Sequence, residues 1–341
     1  MLYVTTRNRH DAYTAHRAMH EERAPDGGSY LPFRMPMLDA QLWADWNKKS
    51  FGQIVADALN LLLPAGINSW DVEFAVGRHP IRMIKMGRRV TVVQLWRNSC
   101  EDYRHIETAV AQLIYKDNTA PSEWVRIAIR MAVMAAAISL FLRDEAESDA
   151  QADISVDTDD FSVAIAAWYL RQMGAPIGNI LCSCDENAAV WDLLRMGEAR
   201  TDASARKTDV SDVDAALPLQ LERLICGALG QEEALRYSDI CKRGGVYKVA
   251  ELTHEALRAG IYVAAVSQRR IGDLLQSVHT ISGCVVGPQT AKAYGGLLDY
   301  RARSGESRRT LLLEDRSPVY DKAEVCQATG LTETQLKDNL A

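Results

Sequence analysis

Two short runs of the sequence carry the side chains best suited to bind or transform a polar ligand. One follows a β-branched run at residues 90–95, and the other, rich in aspartate, follows a short apolar run at residues 154–156. Because open α/β sheets place their sites at the carboxyl ends of parallel strands, we expect both runs to converge there. Their mixed charges suit a zwitterion or a guanidinium ligand; alternatively they pair internally, with Arg104 neutralising the aspartates. The candidate pocket residues are Arg97, Cys100, Arg104, His105, Asp157, Thr158, Asp159 and Asp160.

Other chemistry-bearing residues give weaker signals. His16 and His20 have the i, i+4 spacing of two metal ligands on a helix, but no third ligand is evident, so we expect an exposed helix face and no metal site. The sequence contains neither a G-x-S-x-G nucleophile motif nor a phosphate-binding P-loop. Seven scattered cysteines are expected to be reduced and mostly buried thiols.

Alternating strand and helix patterns position the two runs. Strand, helix, strand and helix follow one another from residue 154 to residue 196, an order that predicts an α/β fold with a mostly parallel sheet flanked by helices. Helices are expected throughout 215–310. The other predicted elements are helices at 11–22, 51–63, 101–115, 122–143, 161–173 and 187–196, and strands at 90–95, 154–156, 180–184 and 310–313.

Composition limits the class of protein. Hydrophobic residues make up 48% of 341 residues, and the net charge is -6. These values are typical of a globular protein and argue against a nucleic-acid surface, which needs a basic face. The most apolar stretch, Met131–Leu142, is shorter than the roughly 20 residues of a membrane span, so we expect a buried core helix and no membrane partner. The N-terminus shows no apolar signal core, and a cytoplasmic location is expected.

Five segments, in order along the chain, resemble the threonine synthase family. The first segment contains two strings that resemble the family's "Y-x-S-T-R-G" and "L-A-P-D-G-G-L-Y-V-P". Three more segments resemble "M-G-L-P-I", "P-S-N-F-E-R-L" and "D-P-H-T-A-V-A-Y". The fifth, at Glu186-Asn187 and Asp192–Gly197, resembles "N-E-N-N … D-F-L-R-T-G". The matching residues here are Tyr3–Arg7 with Ala24–Pro32, Met173–Ile177, Pro218–Leu224 and Gly287–Tyr294.

The resemblance implies an enzyme that converts O-phosphohomoserine to threonine with pyridoxal phosphate (PLP), yet two parts of that chemistry are replaced. Arg104 stands where the family's Schiff-base lysine belongs, and a guanidinium stays protonated and forms no imine. The glycine-containing phosphate loop becomes Val156–Val163, with three aspartates. Each carboxylate at about 5 Å would repel a phosphate charge by roughly 3 kcal/mol at an effective dielectric of about 20.

Two further differences lie later in the chain. The family places a small second domain between the lysine helix and a later helix, whereas here Asn118–Ile127 follows almost at once, so a whole lobe is expected to be deleted. The family's serine or threonine that faces the pyridine nitrogen is replaced within Glu314–Tyr320. We therefore expect a threonine-synthase-like large domain that lacks the second lobe, divided into an N-terminal region at 1–90 and a truncated α/β domain with a helical tail at 91–341.

These differences predict a catalytically inactive member of the family, with no catalytic residues and no cofactor. It would act by binding a small amino-acid-like ligand or as an assembly partner, as a homo-oligomer or with another protein. The alternative is an enzyme with residual PLP-dependent carbon-oxygen lyase activity, or one with a new cofactor-free reaction in the remodelled cleft. The sequence leaves the ligand, the partner and the oligomeric state open.

Overall fold

A six-stranded, mostly parallel sheet forms the centre of the molecule. The computed structural model describes residues 1–77, 81–87, 89–96, 106–143, 150–185, 189–200 and 220–340. Its strands are β1 (Tyr3–Thr5), β2 (Tyr30–Pro32), β3 (Arg82–Met86), β4 (Val90–Gln94), β5 (Ala152–Asp157), β6 (Ile177–Cys184), β7 (Glu198–Arg200), β8 (Val246–Lys248), β9 (Ile261–Ala265) and β10 (Thr310–Glu314). The central order is β3-β4-β10-β5-β6-β9, with β3 antiparallel to β4 and the other pairs parallel. The remaining strands form two antiparallel pairs, β1 with β2 and β7 with β8.

Helices cover both faces of this sheet. They are α1 (Ala15–His20), α2 (Ala40–Trp46), α3 (Phe51–Leu62), α4 (Ser69–Val76), α5 (Ile106–Tyr115), α6 (Glu123–Leu142), α7 (Ser162–Met173), α8 (Ala189–Trp191), α9 (Gln220–Leu229), α10 (Gln231–Arg243), α11 (Glu251–Leu257), α12 (Ile271–Ser282), α13 (Pro288–Ser304), α14 (Lys322–Thr329) and α15 (Glu333–Leu340). On one face α7 packs on β5 and β6, with α6 and α3 outside it. On the other face α13 packs on β5, β6, β9 and β10, with α12 beside it. The fold is therefore the α/β arrangement that the sequence predicts.

Helix α6 is the apolar centre of one face. By length and composition alone it could cross a membrane, with a mean hydropathy of 2.0, but 83% of that apolar window is buried inside the protein. Ser122 begins the helix, because its hydroxyl accepts a hydrogen bond from the Val125 N–H and donates one to the Ala18 carbonyl. The core helix predicted at 122–143 is confirmed.

The segment of the chain between β4 and α6 is short. After β4, the described residues resume at α5, and residues 116–122 lead from α5 directly into α6. Within residues 106–122 the structure contains one helix and a loop, with no second sheet. The division of the chain at residue 90 stays a prediction.

Some predicted elements are wrong. Helices were expected throughout 215–310, but β8 and β9 lie in that range, and β9 is a parallel edge strand of the central sheet. The run Ile261–Val263 after Gly260, whose φ is +74°, is a strand signal of β-branched and aromatic residues. The N-terminal helix is shorter than predicted, since Tyr13 pairs with Tyr3 and Thr14 caps α1.

The segments that carry the family resemblance meet in space. The Arg7 guanidinium lies 2.7 Å from the Glu222 carboxylate and donates to the Asp26 carbonyl at 3.1 Å. The neighbouring Arg223 is fully buried, donates to the Tyr30 carbonyl at 2.7 Å and lies 3.2 Å from the Glu123 carboxylate. These motif residues therefore bind the N-terminal strands to α6 and α9.

We expect Arg223→Met to lower the free energy of unfolding by about 3–5 kcal/mol, because it leaves the buried Glu123 carboxylate without its closest cation. Urea unfolding followed by circular dichroism measures the loss. The matched control is Arg258→Met, whose exposed pair with Glu255 has a separation of 4.0 Å and should contribute less than about 1 kcal/mol. Equal losses in the two variants would contradict the structural role assigned to Arg223.

Candidate functional site

The aspartate run lies where the sequence predicts it, at the carboxyl end of β5. Asp157 is the last residue of β5, and the loop of Thr158, Asp159 and Asp160 leads into α7. The Thr158 N–H donates to the Ser183 carbonyl at 2.9 Å, which attaches the loop to β6. The structure therefore brings together four of the predicted pocket residues.

The loop binds its own backbone donors. The Asp157 carboxylate accepts a hydrogen bond from the Asp159 N–H at 3.0 Å, and the Asp160 carboxylate accepts one from the Ser162 N–H at 3.0 Å. Ser162 is the first residue of α7, so Asp160 occupies a donor at the positive end of that helix. The side chains of the loop thus satisfy N–H groups that an external anion would otherwise bind.

A buried lysine neutralises part of this loop. Lys292, on α13, has a side chain that is only 4% exposed, and its ammonium lies 2.7 Å from Asp159 and 3.1 Å from Asp185. Burial alone would lower the pKa of Lys292, but the attraction of Asp159, Asp185 and Asp157 outweighs it and raises that pKa. Lys292 is therefore a permanent cation held between two strand ends.

The same crowding of charges favours the protonated, neutral form of Asp157. Burial, followed by repulsion from Asp159, raises the pKa of Asp157 to about 7, although Lys292 acts in the other direction. The residue keeps some surface exposure, while protein atoms enclose its carboxyl group. Asp157 therefore exchanges a proton near neutrality and has the pKa of a general acid or base.

Arg130 forms a second cationic centre at this edge. Its guanidinium, on α6, lies 2.7 Å from Glu107, 2.6 Å from Asp160 and 3.7 Å from Asp315, and it also donates to the Ser162 hydroxyl. Burial would lower the pKa of Arg130, but Asp315, Glu107 and Asp160 raise it well above its ordinary value. One arginine thus joins α5, α6, the aspartate loop and the end of β10.

Glu314 ends the central strand β10 and is fully buried. Its carboxyl group accepts hydrogen bonds from the Gln94 amide at 2.8 Å, the Trp96 indole at 3.1 Å and the Gly287 N–H at 2.9 Å. Burial outweighs these donors and raises the pKa of Glu314 to about 7. Within the described residues, the Gln94 side-chain oxygen has no hydrogen-bond partner.

The other predicted pocket residues, Arg97, Cys100, Arg104 and His105, lie outside the described residues. The convergence of the two runs, and the pairing of Arg104 with the aspartates, therefore stay predictions. Among described residues, Lys292 and Arg130 bind the aspartates. His16 and His20 stack on each other with ring centroids 4.3 Å apart, and no group of three or more possible metal ligands occurs in the described part of the chain.

Sequence reasoning missed Lys292, Arg130, Asp185 and Glu314 as site residues. One signal was available, because Lys292 occupies the position of an apolar valine in the family string "D-P-H-T-A-V-A-Y" that Gly287–Tyr294 resembles. A lysine at a buried helix position needs a carboxylate partner, and the aspartate run supplies it.

The comparisons with known proteins agree with this architecture. The chain has the fold of solved threonine synthases. A family model described as "Threonine synthase N terminus" matches residues 2–77. Threonine synthase from Corynebacterium glutamicum is 25% identical over 245 residues, which are 68% of this chain and 50% of that protein. The chain thus spans half the length of this curated relative.

Solved structures give the same result for the fold. The PLP-bound threonine synthase from Brucella melitensis superposes with a TM-score of 0.79 at 16% identity, over 100% of this chain and 94% of that one. Threonine synthase from yeast gives 0.77 at 13% identity, over 97% and 90% of the two chains. These solved structures show the fold, and the matches in sequence are to threonine synthases.

The aspartate loop does not fit the phosphate group of PLP. A phosphate site at a helix start needs unoccupied N–H donors and a positive potential. Here Asp157 and Asp160 already accept hydrogen bonds from the Asp159 and Ser162 N–H groups. Lys292 is held by Asp159 and Asp185 rather than left to an external anion. We therefore derive no step through PLP at this loop.

Asp157 and Glu314 should make the stability fall as the pH approaches neutrality. The folded protein keeps a proton on each carboxyl up to a pKa of about 7, whereas the unfolded chain releases it near the ordinary values of 3.8 and 4.5. In that interval the native state binds more protons. The free energy of unfolding is therefore retained below the ordinary values and declines as the pH rises through about 7, by at most about 1.4 kcal/mol per pH unit for each carboxyl.

Urea unfolding at a series of pH values tests this slope. Glu314→Gln should flatten it, because the amide carries no proton to release, and Asp157→Asn should act in the same direction. Glu255→Gln is the control, since Glu255 is exposed and distant from the sheet edge. A slope that is unchanged in Glu314→Gln would show that Glu314 does not hold its proton in the folded state.

Proposed function

We propose that this chain is a threonine-synthase-family protein that works without PLP and does not make threonine, acting instead through binding or assembly. The observation that carries the proposal is the ion-pair cluster of Lys292 with Asp159 and Asp185. It places a protein cation, already neutralised, next to the loop that resembles the family's phosphate loop. The replacement of the family's Schiff-base lysine by Arg104, inferred from the resemblance, supports the same proposal.

The charges at this edge favour a ligand with a cationic group. Around the loop, Asp157, Asp159, Asp160 and Asp185 outnumber the single ammonium of Lys292, and Arg130 is shared with Glu107 and Asp315. An amino-acid-like ligand would place its ammonium group towards these carboxylates. This assigns the edge a small zwitterionic ligand rather than a phosphate ester.

A second candidate is an enzyme, and two observations favour it. The relatives that match the chain are named threonine synthases. In addition, Asp157 and Glu314 have pKa values of about 7 at the edge where open α/β sheets place active sites. Such carboxyls suit proton transfer in a cofactor-free reaction. A carbon-oxygen lyase of the family's type would be the expected class, and a cytoplasmic location suits either candidate.

Spectroscopy tests whether the protein binds PLP. Purified protein incubated with PLP should show no stable imine band, and borohydride followed by peptide mass spectrometry should find no PLP-labelled lysine at the sheet edge. Arg104→Lys alone should not restore an imine or activity, because the aspartate loop remains. The paired variant Lys292→Met reports on the one edge lysine that the structure describes, and Lys248→Met, which removes an exposed lysine, is its control.

A stable band with reductive trapping on Lys292 or on another lysine of the cleft would contradict the PLP-free proposal. Labelling that is equal in the wild type and in Lys248→Met, but lost in Lys292→Met, would identify Lys292 as a replacement Schiff-base lysine. Labelling confined to exposed lysines would show that no lysine at the carboxyl ends of the strands forms an imine with PLP, and it agrees with the proposal.

We also propose that the chain associates with a second copy through an exposed aromatic surface on α4. Among the described residues Trp70 and Phe74 are the most exposed aromatic side chains, at 76% and 89%, and their i, i+4 spacing puts them on one face of the helix. Apolar burial contributes about 25 cal/mol per Å², and a specific interface buries on the order of 800 Å² per partner. These two side chains would form the centre of such an interface.

Sedimentation velocity at micromolar concentration tests the association. The wild type should sediment as a dimer or larger species, and the double variant Trp70→Ser with Phe74→Ser should shift towards monomer. Leu252→Ser, which removes a 97% exposed leucine from α11, should leave the distribution unchanged. A wild-type monomer would exclude self-association and leave the binding of a small ligand as the function.

A further inference from the structure

A cavity of 330 Å³ lies at the amino ends of the central strands, opposite the edge that holds the aspartate loop. Val90, which begins β4, and Met86, which ends β3, form its floor together with Ile281 at the end of α12. Its polar wall consists of Arg89, Arg301 and Tyr294. The cavity has the volume of a small-molecule site and is open to solvent, with Arg89 and Ile281 exposed at its surface.

The two arginines are held in place by neutral groups. The Arg89 guanidinium donates to the Ser307 carbonyl at 2.8 Å. The Arg301 guanidinium donates to the Arg308 carbonyl at 3.2 Å and to the Thr310 hydroxyl at 3.3 Å. Carbonyl and hydroxyl oxygens orient a guanidinium but do not neutralise it. The wall is therefore both positioned and positively charged.

Nearby carboxylates are paired with other cations. Asp153 lies 2.9 Å from Arg308, and Asp299 lies 3.3 Å from Arg270. None of the described residues that line the cavity is acidic. Burial lowers the pKa of Arg301, and the charge of Arg89 acts in the same direction against the opposing effects of Tyr294 and Asp153. Two like charges thus share one concave wall, an arrangement that an anionic ligand would relieve.

We propose that this cavity binds a small organic anion with an apolar body, such as an aryl or branched aliphatic carboxylate. The anionic group would pair with Arg89 and Arg301, which offer the fork geometry that matches carboxylates and phosphates. The body of the ligand would lie on Met86, Val90 and Ile281. Tyr294 supplies a hydroxyl on the same wall. The cavity and the aspartate loop lie at opposite ends of the central strands. The test of this proposal is therefore independent of whether PLP binds at the aspartate loop.

Calorimetric titration of the full chain tests the ligand class with four probes. Phenylacetate and phenyl phosphate should bind saturably, with a Kd no weaker than about 1 mM. Benzyl alcohol lacks the charge and inorganic phosphate lacks the apolar body, so each should bind at least about tenfold more weakly. A preference for phenylacetate over phenyl phosphate would identify the ligand as a carboxylate, and the reverse preference would identify it as a phosphate monoester.

Three variants locate the binding. Arg89→Gln should weaken the binding of the aryl anions about tenfold or more, since it removes a charge-assisted hydrogen bond. Ile281→Glu, at a half-exposed position of the apolar floor, should abolish binding by adding a negative charge. Arg303→Gln changes an exposed arginine of α13 outside the cavity and should have no effect. Unchanged thermal unfolding of each variant shows that the fold is intact.

Three results would overturn the proposal. The first is the absence of saturable binding for both aryl anions. The second is an equal loss in Arg303→Gln and Arg89→Gln, which would indicate nonspecific attraction to surface charge. The third is inorganic phosphate binding as well as the aryl anions, which would remove any role for the apolar floor.

Discussion

The structure at the carboxyl ends of the parallel strands depends on one interaction, the pairing of the buried Lys292 ammonium with carboxylates that follow the strands. Lys292 projects from α13 on one face of the sheet and meets Asp159 and Asp185, which follow β5 and β6. A buried lysine without partners would lose its charge, and clustered aspartates without a cation would repel one another. Each side therefore requires the other, and together they join α13 to the ends of two neighbouring strands.

The same constraint determines what the edge can bind. Once Asp157 and Asp160 accept hydrogen bonds from the first N–H groups near α7, that helix start no longer offers an anion site. Arg130 holds Asp160 from the opposite side and connects it to Glu107 and Asp315. Ion pairs consequently crosslink this edge, and carboxylates are its main charged groups. In the part of the chain that the structure describes, Arg89 and Arg301 form no ion pair with a carboxylate, and they place positive charge at the amino ends of the strands.

The sequence predicts the parts of this structure that follow from local pattern. The β-branched run at 90–95 and the apolar run at 154–156 identify β4 and β5, and the placement of both at one sheet edge follows from parallel topology. The partners of the aspartates could not be predicted, because they are distant in the sequence. Lys292 lies more than a hundred residues after the aspartate loop, and Arg130 lies about thirty residues before it. Strand β9 was missed because its five residues lie between helical patterns, where a short apolar run is ambiguous.

The resemblance to threonine synthases is clearest in residues that stabilise the fold. It holds where side chains stabilise the fold, as with Arg7, which binds Glu222, and Arg223, which binds Tyr30 and Glu123. Arg104, which the resemblance aligns with the family's Schiff-base lysine, lies outside the described residues. At the carboxyl ends of β5 and β6, Asp159 and Asp185 are neutralised by Lys292. The lysine of α13 and the carboxylates after β5 and β6 therefore depend on each other, because removing either would leave a buried, unpaired charge.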